Sequence, residues 1–224
     1  MTEKVLFLGD SLGLPRPDRQ VVDNQTWPSL ISESFSSDGL QFYSYFVGGA
    51  HSGKLLSLRK RGYLAGFDPD IVVLQVGIVD CANRALREGT REFISTIPGI
   101  RRIVRGFIRL FHRQILSIRN ITFVSRKRFE SNLIELEGMF PESRFIVIPI
   151  LPASEEYCKK MPRIGNNVSD YNEILNEVFG ESFLNSLYSD NSIEDLVLDD
   201  FHHLSAMGHK IVAEAVSKEL SKFL

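Results

Sequence analysis

Val5-Leu6-Phe7-Leu8-Gly9-Asp10-Ser11-Leu12 has the pattern of a short apolar strand that ends in a turn. A continuous apolar run is typical of a strand that is buried on both faces of a sheet. In an open α/β sheet, functional groups collect at the carboxyl ends of the strands. Ser11 therefore has the position of an exposed nucleophile, although Gly-Asp-Ser is also ordinary turn sequence.

Further apolar strands alternate with helical segments along the chain. Strands are predicted at residues 42–47, 71–76, 144–150 and 196–198, and helices at 52–64, 169–187 and 205–223, with another helix opening at Thr26. This alternation predicts an α/β fold in which a parallel sheet is covered on both sides. We expect a single domain over residues 1–224, with three α/β/α layers around a central, mostly parallel five-stranded sheet.

The segment between the third and fourth predicted strands is unusually long. A crossover between parallel strands needs only a dozen or so residues, and this segment is several times longer. We therefore expect a helical insertion at about residues 85–140.

Composition excludes several classes of protein. The chain has 224 residues, a formal net charge of -2, 43% apolar residues and 24% charged residues. These values are typical of a globular protein, not of a disordered or collagen-like chain. Two cysteines are too few for a disulfide framework. We see neither a signal-peptide pattern nor an apolar stretch long enough to span a membrane, so we expect a cytoplasmic location.

A second chemical motif lies near the other end of the chain, in Asp199-Asp200-Phe201-His202-His203-Leu204. A serine hydroxyl becomes a good nucleophile only when a base accepts its proton, and imidazole is the usual base. The imidazole needs a partner that fixes its tautomer, and an Asp three residues before a His can serve. The alternative is a loop before a helix with solvated acids and two surface histidines.

Together these motifs resemble those of the SGNH hydrolases, also called the GDSL esterase/lipase family. Gly9-Asp10-Ser11-Leu12 resembles the first block of the family, and Trp27-Pro28 an aromatic-proline pair of the first helix. Gly49 follows the second strand, where the family has an oxyanion glycine. Asp200-Phe201-His202-His203-Leu204 resembles the last block. The resemblance implies a flavodoxin-like SGNH fold over nearly the whole chain.

The resemblance also implies roles for individual residues. Ser11 would be the nucleophile, His203 the general base and later acid, and Asp200 the residue that orients His203. The backbone N–H groups of Ser11 and Gly49 would form the oxyanion hole, with Gly48 as the alternative. Pairing His202 with Asp199 keeps the same spacing, but the Leu204-Ser205 that follows favours His203.

One position departs from the family pattern. The third block of the family is Gly-x-Asn-Asp, and its Asn side chain is a third oxyanion donor, whereas this chain has Gly77-Ile78-Val79-Asp80. Valine cannot donate a hydrogen bond, and losing one such donor typically costs ~10²–10³ in turnover. Asn83 or Arg84 would be the substitute donor. Otherwise the enzyme is slow, prefers a less demanding substrate, or has drifted away from catalysis.

The expected insertion is strongly basic. Residues 93–129 contain nine Lys and Arg and neither Asp nor Glu. Four arginines recur every four residues and would form a stripe on one helix face: Arg101, Arg105, Arg109 and Arg113. Three interpretations remain open: a solvated helix whose arginines pair with acids elsewhere, peripheral attachment to an anionic membrane surface, and a recognition surface for an anionic substrate.

The resemblance thus implies a serine esterase that hydrolyses a small acyl ester of a carbohydrate or a lipid-like alcohol through an acyl-enzyme. The alternatives are an acyltransferase that uses the same residues and a non-catalytic module that binds glycan or membrane. We expect no cofactor, no metal site and no nucleic-acid partner, because the histidines are scattered and neither a phosphate loop nor a nucleic-acid reader motif is present. The sequence leaves the oligomeric state open.

Overall fold

The computed structural model describes residues 3–60, 62, 64, 66–84 and 121–223. Within these residues four strands form one sheet: β1 (Lys4–Gly9), β2 (Gln41–Phe46), β3 (Ile71–Gln75) and β4 (Arg144–Ile148). Their order is β2-β1-β3-β4, and every neighbouring pair is parallel. The predicted α/β fold with a parallel sheet is therefore confirmed.

Helices connect the strands and cover the sheet. The described α-helices are α1 (Trp27–Ser34), α2 (Ser52–Lys60), α3 (Ile78–Cys81), α4 (Arg126–Glu137), α5 (Glu155–Lys160), α6 (Ile164–Phe179), α7 (Ile193–Leu196) and α8 (Ala206–Leu220). Short 3₁₀ turns lie at Ser11–Gly13, Pro17–Arg19, Asp23–Gln25 and Gly180–Ser182. Ser205 caps α8, because its hydroxyl accepts a hydrogen bond from the Gly208 N–H at 3.1 Å.

Two hydrophobic cores lie on opposite faces of the sheet. Successive strand side chains point to opposite faces, so Leu6 and Leu8 belong to one core and Val5 and Phe7 to the other. The first core packs against α2, α4 and α6, and the second against α1 and α8. This alternation produces the three layers that the sequence predicted.

The prediction of a fifth strand at residues 196–198 was wrong. Leu196 ends α7, and Val197 forms an isolated antiparallel bridge with Leu204 instead of joining the sheet. The edge of β4 that faces away from β3 is already paired with another segment. Phe183 bridges to Val147, and the Leu184 N–H donates to the Val147 carbonyl at 3.0 Å. The segment therefore satisfies its backbone groups by folding back on its own continuation.

Two other boundaries differ from prediction. The helix expected at 169–187 is α6, which begins at Ile164 and ends where Gly180 adopts a φ of 53°. Of the expected insertion, residues 121–140 are described and contain α4. Residues 85–120 lie outside the described part, and with them the stripe of Arg101, Arg105, Arg109 and Arg113. No helix within the described residues is both long and apolar enough to cross a membrane.

Trp27 joins α1 to the sheet and to α8. Its side chain is fully buried, and its ring packs edge-on against Phe7 with centroids 5.1 Å apart. The indole N–H donates to Gln75 Oε1 at 2.9 Å, and the Trp27 backbone N–H donates to His209 Nδ1 at 3.2 Å. Burial lowers the pKa of His209 to about 4, which keeps the imidazole neutral as an acceptor. The aromatic-proline pair of the sequence thus packs the second core.

We expect Gly77→Ala to lower the free energy of unfolding by about 2–4 kcal/mol. Gly77 links β3 to α3 with a φ of 128°, which is strained for an L-residue and costs about 1–3 kcal/mol. An added Cβ would also lie 2.5 Å from Ile150 Cδ1. Urea denaturation measures the change. Gly39→Ala is the matched control, because Gly39 also has a positive φ of 72° but nothing lies within 4 Å of its added Cβ. Equal losses in both variants would contradict the steric explanation.

Candidate active site

Ser11 lies immediately beyond the carboxyl end of β1. Asp10 stands before the 3₁₀ turn that Ser11 opens, and its Oδ1 accepts a hydrogen bond from the Leu12 N–H at 2.9 Å. This cap bends the chain sharply away from the strand, and the Ser11 side chain faces the cleft described below. Burial raises the pKa of Asp10 to about 7.

Ser11, His203 and Asp200 form a continuous chain of hydrogen bonds. Ser11 Oγ lies 3.0 Å from His203 Nε2, and His203 Nδ1 lies 2.8 Å from Asp200 Oδ2. Because an ionised carboxylate can only accept, Nδ1 carries the imidazole proton and Nε2 presents its lone pair. A hydroxyl and an imidazole that are 192 positions apart in the sequence thus lie within hydrogen-bond distance, and a carboxylate contacts the other ring nitrogen.

A strained turn holds the acid and the base together. Phe201 lies between Asp200 and His202 with a φ of 71°, an unusual value for an aromatic residue. The turn directs the backbone N–H of His203 to Asp200 Oδ1 at 3.0 Å, and that of His202 to the same oxygen at 3.2 Å. Backbone strain of this kind persists only where surrounding contacts hold the strained conformation. Here the two hydrogen bonds that the Asp200 carboxylate accepts from backbone N–H groups hold it.

The alternative pairing, of Asp199 with His202, is not formed. Asp199 instead forms an ion pair with Arg19, and His202 stacks on Tyr157 with ring centroids 5.7 Å apart. Among these four residues, it is His203 and Asp200 that are joined to Ser11 by hydrogen bonds.

The pKa values of Asp200 and His203 are both lowered. Burial alone would raise the pKa of Asp200, but hydrogen bonds from His203 and His202 outweigh it and hold that pKa well below its usual range. Burial lowers the pKa of His203, and the neighbouring His202 and Arg16 lower it further, against the raising effect of Asp200. The resting pair is thus a carboxylate and a neutral imidazole, the state in which Nε2 can accept a proton.

A cleft of about 440 Å³ lies in front of Ser11. Neither the Gly48 nor the Gly49 N–H donates a hydrogen bond within the described parts of the chain, and Gly49 has a left-handed φ of 65°. Both glycines and Ser11 border the cleft. The described residues that line the cleft are Ser11, Arg16, Gly48, Gly49, Ile78, Val79, Ala82, Arg84, Tyr157, His202 and His203.

Val79 borders the same cleft, whereas its neighbour Asp80 does not. Asp80 is fully buried, and it accepts hydrogen bonds from the backbone N–H of Ser52 at 3.0 Å and from its hydroxyl at 2.5 Å. Asp80 thus caps the start of α2 rather than the helix that follows it. Asn132 of α4 extends this network by donating to Ser52 Oγ at 2.7 Å. Burial raises the pKa of Asp80 to about 6, although both hydrogen bonds from Ser52 lower it.

The two expected substitute donors are placed differently. Asn83 is buried, its amide donates to the Pro162 carbonyl at 3.0 Å, and its carbonyl accepts from Asn167 at 2.5 Å. Asn83 does not line the cleft, so its proposed role as a donor finds no support in the structure. Arg84 does line it, with its guanidinium 4.6 Å from the centre of the Phe123 ring.

One group of side chains has the spacing of a metal site within the described residues. Ligand atoms of Asp200, His202 and His203 lie within 4.8 Å of one another. The hydrogen bond between Asp200 and His203 already accounts for this proximity, and we assign no metal to it.

Family comparison decides the identity. The family model described as GDSL-like lipase/acylhydrolase matches residues 5–216. The chain belongs to this family. Its members are hydrolases, and the match includes the first block around Ser11 and the last block around His203. The resemblance predicted from the sequence is confirmed at the level of the family.

Solved structures support the GDSL fold. A lipase/acylhydrolase from Enterococcus faecalis superposes with a TM-score of 0.70 at 13% identity, covering 99% of this chain and 97% of that one. The acetylxylan esterase Axe2 from Geobacillus stearothermophilus has a TM-score of 0.61 at 17% identity, covering 97% and 93%. The esterase EstA from Pseudoalteromonas sp. has a TM-score of 0.60 at 17% identity, covering 99% and 98%. No curated protein has significant sequence similarity to the chain.

Two polar residues of this GDSL site were not predicted from the sequence. Arg16 and Tyr157 both line the cleft. Arg16 lies between Pro15 and Pro17 in an irregular loop, and Tyr157 lies on the short helix α5. Neither belongs to a motif block or to a periodic pattern, so no signal in the sequence marks them.

We expect Ser52→Ala to destabilise the protein by about 1–3 kcal/mol at pH 8, because it removes a donor from a buried carboxylate. The loss should be smaller at pH 5. The folded pKa of Asp80 is about 6, against 3.8 ordinarily, so Asp80 is protonated in the folded state at pH 5 and depends less on that donor. Urea denaturation at both pH values measures the two losses.

Ser57→Ala in the same helix is the control, because the Ser57 hydroxyl bonds only to the Lys54 carbonyl among the described residues. A loss in Ser52→Ala that does not change with pH would contradict the link to Asp80.

Proposed function

We propose that the protein is a serine esterase that cleaves a small acyl ester through an acyl-enzyme. The observation that carries the proposal is the hydrogen-bonded chain Ser11–His203–Asp200 at the wall of an open cleft. These residues match the nucleophile, base and orienting acid that ester cleavage requires. The acetylxylan and acetyl-xylooligosaccharide esterases among the structural neighbours support an acetylated carbohydrate as the substrate class.

In the proposed mechanism, Ser11 Oγ attacks the ester carbonyl carbon while His203 Nε2 takes the hydroxyl proton. The N–H groups of Ser11 and Gly49 stabilise the oxyanion. When the tetrahedral intermediate collapses, the bond to the alkoxy oxygen breaks and His203 returns the proton to the departing alcohol. Water then attacks the acyl-enzyme, with His203 again acting as base, and releases the acid and free Ser11. Asp200 stabilises the imidazolium throughout.

The rest of the cleft is consistent with a short acyl group. Ile78, Val79 and Ala82 form an apolar wall near Ser11. The family match over residues 5–216 also supports a single domain, which we retain as part of the proposal.

We expect Ser11→Ala to reduce acetate release from p-nitrophenyl acetate by about 10³-fold or more, because no other hydroxyl contacts His203 Nε2 within the described residues. A fluorophosphonate probe should label the wild type at Ser11, as identified by peptide mass spectrometry. Ser34→Ala is the control, since the Ser34 hydroxyl bonds to the Leu30 carbonyl of its own helix. Equal rates in the wild type and Ser11→Ala would refute the proposal.

We expect Val79→Asn to raise kcat for p-nitrophenyl acetate by about tenfold or more. Val79 borders the cleft where the family pattern has an oxyanion amide, and such a donor contributes ~10²–10³ when it is well placed. Val79→Ala is the matched control, because it removes the same methyl groups without adding a donor. A similar gain in both variants would indicate a steric effect and contradict the electrostatic explanation.

A further inference from the structure

The loop that follows Ser11 brings an arginine to the proposed base. Arg16 lies between two prolines, and its backbone forms a two-way bridge with Val21: Arg16 N–H donates to the Val21 carbonyl at 2.7 Å, and Val21 N–H donates back at 3.0 Å. Val21 is buried, so the bridge anchors the loop to the protein interior. The position of Arg16 is therefore determined by its backbone as well as by its side-chain contacts.

The Arg16 guanidinium contacts His203 Nε2, the same atom that lies 3.0 Å from Ser11 Oγ. The single lone pair of Nε2 cannot accept a full hydrogen bond from both donors. In the free protein, Arg16 therefore competes with the serine for the base. Its positive charge also opposes the formation of the imidazolium.

Arg16 has no acidic partner among the residues that the structure describes. Its Nε is buried without a hydrogen bond, although the residue as a whole is only half-buried. Arg19, three residues further along, provides the contrast, because it pairs with Asp199 and lies 3.8 Å from Asp200. Within the described parts of the chain, Arg16 is thus a cation in the cleft without a carboxylate partner.

The charge of the cleft wall is one-sided. Arg16 lines it together with His202 and His203, and no Asp or Glu is among its described lining residues. A partly enclosed site with cations and no carboxylate favours an anionic ligand.

The mechanism indicates which half of an ester would carry that anion. His203 Nε2 returns the proton to the departing alcohol, so the alcohol must lie beside Nε2. Arg16 contacts this same atom. A group bound by the guanidinium therefore belongs to the alcohol half of the substrate and not to the acyl half.

We infer that Arg16 is a specificity residue that binds an anionic group, a carboxylate or a phosphate, on the alcohol half of the ester. A planar guanidinium pairs with both groups through two parallel hydrogen bonds. Binding draws the guanidinium away from Nε2, which frees the lone pair for the Ser11 hydroxyl and offsets the positive charge beside His203. Hydrolysis at this position rests on the proposed function, whereas recognition of the anion does not.

The test compares two acetyl esters that differ in charge, 3-acetoxybenzoate and 3-acetoxybenzamide. With rates normalised to alkaline hydrolysis, we expect the wild type to prefer the carboxylate by about tenfold or more in kcat/KM, which corresponds to about 1.4 kcal/mol. Arg16→Gln should abolish the preference and Arg16→Lys should keep part of it. Arg126→Gln should leave it unchanged, because Arg126 pairs with Asp170 outside the cleft. Thermal melts establish that each variant is folded.

A binding measurement separates the inference from the proposed function. In a Ser11→Ala background, calorimetry should show tighter binding of 3-acetoxybenzoate than of 3-acetoxybenzamide, and Arg16→Gln should remove the difference. Hydrolysis of both esters without a preference, or a preference that survives in Arg16→Gln, overturns the inference and leaves the esterase intact. Absence of hydrolysis together with selective binding refutes the esterase and supports the inference. Equal binding in the Ser11→Ala background overturns the inference whatever the rates are.

Discussion

The site depends on the parallel pairing of β1 with a strand on each side. Gly9 lies opposite Phe46 of β2 and opposite Gln75 of β3 in register. All three strands therefore end at one edge of the sheet, and the segments that follow them begin side by side. Those segments supply Ser11, Gly49 and Val79, which border one cleft although they are distant in sequence.

Buried polar contacts keep this edge rigid. Trp27 bonds to Gln75 at the end of β3 and to His209 of α8, so the helix layer on one face is tied to the last residue of a central strand. On the other face, the Asp80–Ser52–Asn132 network joins α3, α2 and α4. Hydrogen bonds to buried groups are directional and costly to leave unmade. They therefore resist small shifts that apolar packing alone would tolerate.

Charge is distributed unevenly over a chain that is nearly neutral overall. The net charge of -2 argues against a generally basic binding protein. The cleft is nevertheless bordered by Arg16 and Arg84, and no Asp or Glu is among its described lining residues. Asp80 faces α2, and Asp200 faces the backbone and ring of His203. The local electrostatic potential, and not the net charge of the protein, governs which ligands such a cleft binds. The basic segment that drew attention in the sequence lies mostly outside the described residues, and the two arginines among the described lining residues of the cleft, Arg16 and Arg84, precede that segment.

The sequence by itself determined the α/β class and the first four strands, and it singled out Ser11, Gly49, Asp200 and His203 as candidate site residues. Each of these has a local signal: an apolar run, a turn motif, or a fixed spacing between acid and imidazole. Only the tertiary structure decided that residues 196–198 turn back on Leu204, because the edge of β4 was already paired with Phe183. It also decided that Asn83 bonds away from the cleft while Arg16 enters it. Those outcomes depend on which distant segments pack at a sheet edge or at a cleft wall. A pattern along one stretch of the sequence does not show which distant segments it will contact.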